Sequence, residues 1–227
     1  MLSDHLRILY LHGFASGAAS RKARFFSEKL QELGFRLEIP DLAEGNFEGL
    51  TISGQLRVVA QCAEQCAEPS AAHEPVVLIG SSLGGYLAAL YAASHPEVRK
   101  LVLLAPAFHF HQLWERELGP ERLDTWRKNR TVPILHYGEG RMMQIGYQLM
   151  EDASRYQPFP DFRQPALIFH GTGDTVVPVQ YSAVFTASHP NVRLVTLNSG
   201  HELTDVLDVI WRETQAFLLD NPIELRC

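Results

Sequence analysis

Short, uninterrupted apolar runs alternate along the chain with longer stretches whose apolar residues recur every three or four positions. The first run, Ile8-Leu-Tyr-Leu11, ends at His12-Gly13; a helical pattern follows over 21–33, with Phe25, Phe26, Leu30 and Leu33 in phase and Gly34 as its stop. Arg36-Leu-Glu-Ile39 reads as a short strand closed by Pro40, and residues 52–67 as a second helix. Val76-Val-Leu-Ile-Gly80 is apolar throughout, which predicts a strand covered on both faces. The following stretch, Leu83 to Ser94, is rich in Ala and Gly and apolar around most of its circumference, so it predicts a buried helix packed closely on the sheet. Leu101–Ala105, Ala166–His170 and Val192–Leu197 are the remaining strands, and a last helix runs from about Leu203 to Leu219. Strands alternating with helices predict an α/β fold built on a mainly parallel, six-stranded sheet with helices on both faces.

The alternation breaks down between Pro106 and Pro165. That stretch has helix-like patches at about 111–118, 120–129 and 142–155, and it holds Phe108, Phe110, Trp114, Trp126, Tyr137, Met142, Met143 and Tyr147. It is too long for a plain connection, so a cap inserted at about 107–164 into a single domain is expected. Its aromatics read equally as the lining of a pocket and as the insert's own small core.

Composition narrows the functional classes. In 227 residues, 20 Lys and Arg face 26 Asp and Glu, a net charge of −6 that gives no cationic footprint for nucleic acid or anionic lipid. Hydrophobic residues make up 46% and charged ones 20%, enough to build a core and too few charges for a disordered chain. Nowhere do about 18 apolar residues run consecutively, so no membrane span is predicted, and residues 1–7 do not form a signal peptide. Cys62 and Cys66 lie one turn apart on a predicted helix and Cys227 is the last residue, which is no disulfide framework and fits a cytoplasmic protein.

The strongest chemical signal is Gly80-Ser81-Ser82-Leu83-Gly84, a G-x-S-x-G pentapeptide between a buried strand and a buried helix. A sharp strand-to-helix turn brings the two flanks of the central serine together, so the residues two positions away must be small. Ser82 has Gly80 and Gly84 there, whereas Ser81 would have Ile79 and Leu83; Ser82 is therefore the candidate nucleophile. A serine hydroxyl needs a neighbouring base. Of ten histidines, His201 follows the last strand through Asn198-Ser199-Gly200, at the strand end where α/β sheets gather catalytic groups. His95 and His189 stand beside prolines and read as helix terminators; His5, His73 and His136 lack a strand-end context, and His170 reads as buried in or beside a strand. Asp174, in His170-Gly-Thr-Gly-Asp174, is the expected acid that orients the base. It directly follows a buried strand, 27 residues before His201; Asp205 and Asp208 are expected on the last helix, in solvent. Oxyanion donors are expected from the backbone N–H of Leu83 and of Phe14, the latter on the Gly-containing loop after the first strand. His12, Phe108, Trp114 and Met142 are candidate substrate contacts, His12 reading better as a loop former than as a second base. His109-Phe-His111 lacks a third ligand, and the cysteines lack a partner pair, so neither metal nor thiol chemistry is predicted.

These residues together resemble the α/β-hydrolase superfamily without its two leading strands. Leu11-His-Gly-Phe14, Ser16, Ser20-Arg-Lys22-Ala23 and Gly80-Ser-Ser-Leu-Gly-Gly-Tyr86 are similar to the small bacterial YqiA-like esterases, as are Gly173-Asp174 and Gly200-His201. The chain departs from that pattern at Gly17-Ala18, where Ser-Pro is usual, and in a longer insert. The resemblance implies an α/β-hydrolase fold with strand order 2-1-3-4-5-6. It also implies a carboxylesterase acting without a cofactor on short to medium acyl esters through an acyl-serine. An acyl-thioesterase or acyltransferase with the same triad is the alternative, and a non-catalytic binding protein on the same fold a more distant one.

Overall fold

Alternation within the strands builds the two faces of the sheet. A computed structural model of the chain describes residues 6–64 and 75–220. β1 (Arg7–Leu11), β2 (Leu37–Glu38), β3 (Val76–Ser81), β4 (Val98–Leu104), β7 (Ala166–Gly171) and β8 (Val192–Leu197) form one sheet in the order β2-β1-β3-β4-β7-β8, and every neighbouring pair is parallel. Counting the strands of this sheet alone, that is the expected 2-1-3-4-5-6. Leu9, Leu11, Leu78, Leu101, Leu103 and Ile168 point into one core with α2 (Ile52–Glu64), α3 (Leu83–Ala92) and α6 (Val179–Ser188). The residues one step along, Ile8, Tyr10, Val77, Ile79, Val102, Leu167 and Phe169, enter a second core with α1 (Arg21–Glu32) and α7 (Leu207–Leu219). α1 starts where the Ser20 hydroxyl accepts the Ala23 N–H at 3.3 Å, and it buries Phe26 and Leu30 one turn apart. Each such side chain contributes about 1.5–3 kcal/mol by burial.

The last helix begins at Leu207 rather than near Leu203, because Leu203 takes a left-handed φ of 56° that no α-helix can contain. Asp205 consequently lies in the loop before α7, exposed and accepting a hydrogen bond from the Ser199 hydroxyl, and not on the helix as expected; Asp208 is in the first turn.

Between β4 and β7 the chain holds α4 (Phe110–Asn129), β5 (Thr131–His136), β6 (Arg141–Gly146) and α5 (Gln148–Ala153). Gly119 (φ 69°, ψ 169°) followed by Pro120 breaks α4 into the two expected patches. The third patch, 142–155, is helical only in its second half, as α5; 141–146 is instead a strand, paired antiparallel with β5 so that Leu135 faces Met142 and Ile134 faces Met143. Ile145 is buried while Met142 and Gln144 are exposed, a two-residue period, and the Trp126 indole on α4 donates to the Ile145 carbonyl at 3.0 Å. Trp126 is 1% exposed, and rings run from Phe14 to Trp114, Trp126 and Tyr147 at centroid distances of 5.2–5.5 Å. The buried side chains of the insert, Trp126, Ile145, Tyr147 and Leu149 among them, are continuous with the core that α2, α3 and α6 build on one face of the sheet. The insert is also tied to α2, where Asp152 accepts both the Ser53 N–H and the Ser53 hydroxyl at 2.7 Å.

Candidate active site

The turn from β3 into α3 is possible only because two glycines let backbone meet backbone. A Cβ on Gly80 would lie 2.7 Å from the carbonyl carbon of Gly84, and one on Gly84 would lie 2.6 Å from the His12 carbonyl oxygen and closer still to Leu11. Between them Ser82 adopts φ 53°, ψ −117°, a conformation costing about 1–3 kcal/mol for a residue with a side chain. The turn is pinned on both sides: the Ser82 N–H donates to Leu104 O at 2.8 Å, and Ser82 O accepts from Tyr86 N at 3.1 Å and Ala107 N at 3.0 Å. Ser81 ends β3 with its side chain buried at 3% exposure beside the Tyr10 hydroxyl, whereas Ser82 is partly open to solvent.

His201 and Asp174 meet that serine from β8 and β7. The Ser82 hydroxyl donates to His201 Nε2 at 3.0 Å, and His201 Nδ1–H donates to Asp174 Oδ2 at 2.7 Å. The His201 side chain is 14% exposed and that of Asp174 is 0% exposed. Burial alone would raise the Asp174 carboxyl, but hydrogen bonds from His170, His201 and the Val177 N–H, together with the charge of His201, outweigh it and hold the group well below the usual carboxylate range. Its other oxygen accepts the N–H groups of Val176 and Val177, each at 2.8 Å. The loop carrying His201 is held from beneath by Lys22, whose buried ammonium donates to Glu202 O at 2.9 Å. Burial pulls that amine below the ordinary lysine range, against the pull of Glu202.

Gly13 brings the loop after β1 against the elbow: a Cβ added there would lie 3.4 Å from Ser81 O and 3.5 Å from Ser82 Cβ. Among the described residues neither the Phe14 N–H nor the Leu83 N–H has a backbone acceptor. Leu83 is also the first residue of α3, where the helix presents its positive end. The Phe14 ring lies against Phe47 and Trp114, and Ala15 O accepts the Gly138 N–H from the tip of the β5–β6 hairpin at 3.3 Å.

The four candidate substrate contacts separate. His12 is 8% exposed, and its Nδ1 is 3.0 Å from Gly13 O, shaping its own loop; burial lowers its pKa. Trp114 is half-buried beside Phe14. Phe108 is fully buried, stacked on Phe185 at 4.5 Å, and Met142 is 57% exposed on the hairpin. His95 and His189 each place Nδ1 against the carbonyl four residues back, as helix ends do, while His136 ends β5 and packs on Phe47. His170 lies in β7 as expected. Its contact with the acid was not legible: Nε2 lies 3.2 Å from Asp174 Oδ2, a juxtaposition created by the turn rather than by any spacing in the sequence. No three His, Cys, Asp or Glu side chains gather as a metal site among the described residues, and His111 pairs instead with Glu115. Cys62 is a half-buried free thiol; His5, Cys66, His73 and Cys227 lie outside the described residues. No described helix is long and apolar enough to cross a membrane.

A family model described as an uncharacterised protein family, UPF0227, matches residues 7–218. The chain is 28% identical over 169 residues to monoacylglycerol lipase abhd6-B of Xenopus laevis, covering 73% of this chain and 45% of that protein. It is 27% identical over 222 residues to the mitochondrial palmitoyl-protein thioesterase ABHD10 of Bos taurus, covering 89% and 69%. It therefore spans less than half the length of the frog protein. The structure of mouse α/β-hydrolase domain-containing protein 10 superposes with a TM-score of 0.78 at 21% identity, over 96% of this chain and 91% of that one, so the two share the α/β-hydrolase fold.

Proposed function

From a chain that belongs to the UPF0227 family and folds as an α/β-hydrolase, we propose a serine hydrolase that cleaves carboxylic esters through an acyl-serine. The observation that carries this reading is the unbroken line of hydrogen bonds from the Ser82 hydroxyl through His201 to Asp174. His201 Nε2 takes the hydroxyl proton as Ser82 Oγ attacks the acyl carbon, and Asp174 holds the imidazole in the tautomer that can do so. The tetrahedral oxyanion is received by the Leu83 and Phe14 N–H groups. The imidazolium returns its proton to the departing alkoxide, leaving the acyl group on Ser82. Water, deprotonated by the same imidazole, then attacks the acyl carbon, and the imidazolium gives that proton to Ser82 Oγ as the acyl–oxygen bond breaks, releasing the acid and the free serine. Every proton is accounted for by His201, so the scheme requires no cofactor.

Phe14 and Trp114 supply an apolar, aromatic flank next to one oxyanion donor, which suits a short or medium acyl chain. The name of the bovine relative favours acyl thioesters as a second substrate class, since the same attack expels a thiolate. Ser82→Ala tests the reading. The folded variant should lose turnover of p-nitrophenyl butyrate by about three orders of magnitude or more, and a fluorophosphonate probe should label Ser82 of the native protein and nothing in the variant. Retained turnover in Ser82→Ala would refute the assignment; parallel rates on butyryl thioester and oxoester decide between the two substrate classes.

A further inference from the structure

The acid of the relay is held by a second histidine. His170 is 0% exposed as the penultimate residue of β7, and two of its three neighbours admit one tautomer only. Nε2 faces two groups that can only accept, Val177 O at 2.9 Å and Asp174 Oδ2 at 3.2 Å, so Nε2 carries a proton shared between them. On the other side of the ring, Nδ1 lies 2.8 Å from the Ser182 hydroxyl, itself 0% exposed on α6. The peptide of residue 177 is thereby gripped at both ends: its N–H donates to Asp174 Oδ1 while its carbonyl is held by His170. Asp174 receives four donors on two oxygens, and only one of them, His201, belongs to the line toward Ser82.

We propose that His170 is a positioning residue for catalysis: with Ser182 it locks the 174–177 turn and the Asp174 carboxylate plane so that Oδ2 meets His201 Nδ1. This rests on the serine-hydrolase reading above. The ring touches neither substrate nor Ser82; it acts through Asp174. A carboxylate on a single methylene can still rotate, and the amides of Val176 and Val177 restrain only Oδ1. His170 restrains the oxygen that His201 uses. It also presents the positive edge of its ring to a carboxylate with no solvent to stabilise it. A side chain that merely filled space would need no donor at this point, and a phenyl ring would serve as well.

The discriminating experiment compares His170→Phe with His170→Gln, whose amide nitrogen can reach the place of Nε2. Each is followed by steady-state kinetics on p-nitrophenyl butyrate, by fluorophosphonate labelling rate, and by the downfield proton resonance of His201 Nδ1–H. His170→Phe should lower kcat by about 10–100-fold with KM within about twofold, the range expected when a catalytic group is misplaced by a fraction of an ångström to one ångström. The same variant should slow labelling in proportion and shift or broaden the downfield resonance, and His170→Gln should restore most of all three. A folded His170→Phe with unchanged kcat, or a Gln variant as impaired as the Phe variant, overturns the proposal while leaving the hydrolase reading intact. A native protein that neither labels nor turns over brings down both. If His170→Phe does not fold, Ser182→Ala decides: a several-fold fall in kcat with a shifted resonance is expected, and native kinetics with a native resonance refute it.

Discussion

Replacing Gly84 by alanine tests the tightest approach to backbone made by any glycine among the described residues. In an exposed helix the change would gain about 1 kcal/mol in helix propensity. Here the added methyl would lie 2.6 Å from His12 O and nearer still to the Leu11 carbonyl. These are main-chain atoms, so no rotamer change relieves the contact. Reaching an ordinary separation of 3.4 Å from His12 O alone requires a displacement of about 0.8 Å between α3 and the end of β1, and clearing the nearer Leu11 carbonyl requires more. Overpacking of this kind costs about 1–3 kcal/mol, and loosening the last β1–β3 rung, Leu11 beside Gly80, adds about 1 kcal/mol for a backbone hydrogen bond. Set against the propensity gain of about 1 kcal/mol, the net loss is about 1–3 kcal/mol. Catalysis should suffer separately, because the displaced segments carry Ser82 on one side and Phe14 on the other; an offset approaching 1 Å costs about 100-fold. The assay is urea unfolding followed by tryptophan fluorescence, with kcat/KM on p-nitrophenyl butyrate at a denaturant-free temperature where both proteins are folded. Gly17→Ala is the matched control, since an added methyl there meets nothing within 4 Å. It should change stability by no more than about 0.5 kcal/mol and leave kcat/KM alone. If Gly84→Ala is as stable and active as the control, the argument from backbone approach is wrong.

Three further outcomes follow from the electrostatics of the site. Asp174→Asn should lower kcat by about 10⁴-fold by offering His201 a donor where it needs an acceptor. Because the native carboxyl is held below its unfolded range, the stabilisation from its ionised form is complete above about pH 4 and is lost as pH falls from there. The stability gap between native protein and Asp174→Asn should therefore be flat from pH 5 to 8 and narrow below pH 4 in urea titrations; a gap that kept growing between pH 5 and 8 would contradict this. Lys22→Met keeps the buried stem but leaves Glu202 O without its donor, so it should cost about 1–3 kcal/mol and lower kcat through the adjoining His201, with KM little changed. Unaltered kcat in that variant would show that the His201 loop holds its place without Lys22.

What could be seen in the sequence was whatever depends on continuous burial. β3 and β7 have burial on both faces and so read as unbroken apolar runs, and their ends mark where Ser82 and Asp174 emerge. Gly80 and Gly84 identify the elbow because tight approach has a residue-type requirement. The β5–β6 hairpin was misread because Met142-Met143 pairs an exposed with a half-buried position outside the main sheet, where helix and strand periods over six residues are alike. Leu203 looked like a helix start because its burial serves a left-handed turn. The grip of His170 on Asp174 depends on how a four-residue turn closes in space, and Phe108 on which of two apolar surroundings its ring enters. Neither is written in spacing.

The carboxylate of Asp152 reaches across from α5 to the opening turn of α2, taking both donors of Ser53 from a partner 99 positions away. A chimera that trims or exchanges the stretch joining β4 to β7 would strip α2 of this clasp as well as altering the surroundings of the serine. Such a transplant must carry its own acid for Ser53, or the host framework inherits an uncovered helix start along with whatever new selectivity was sought.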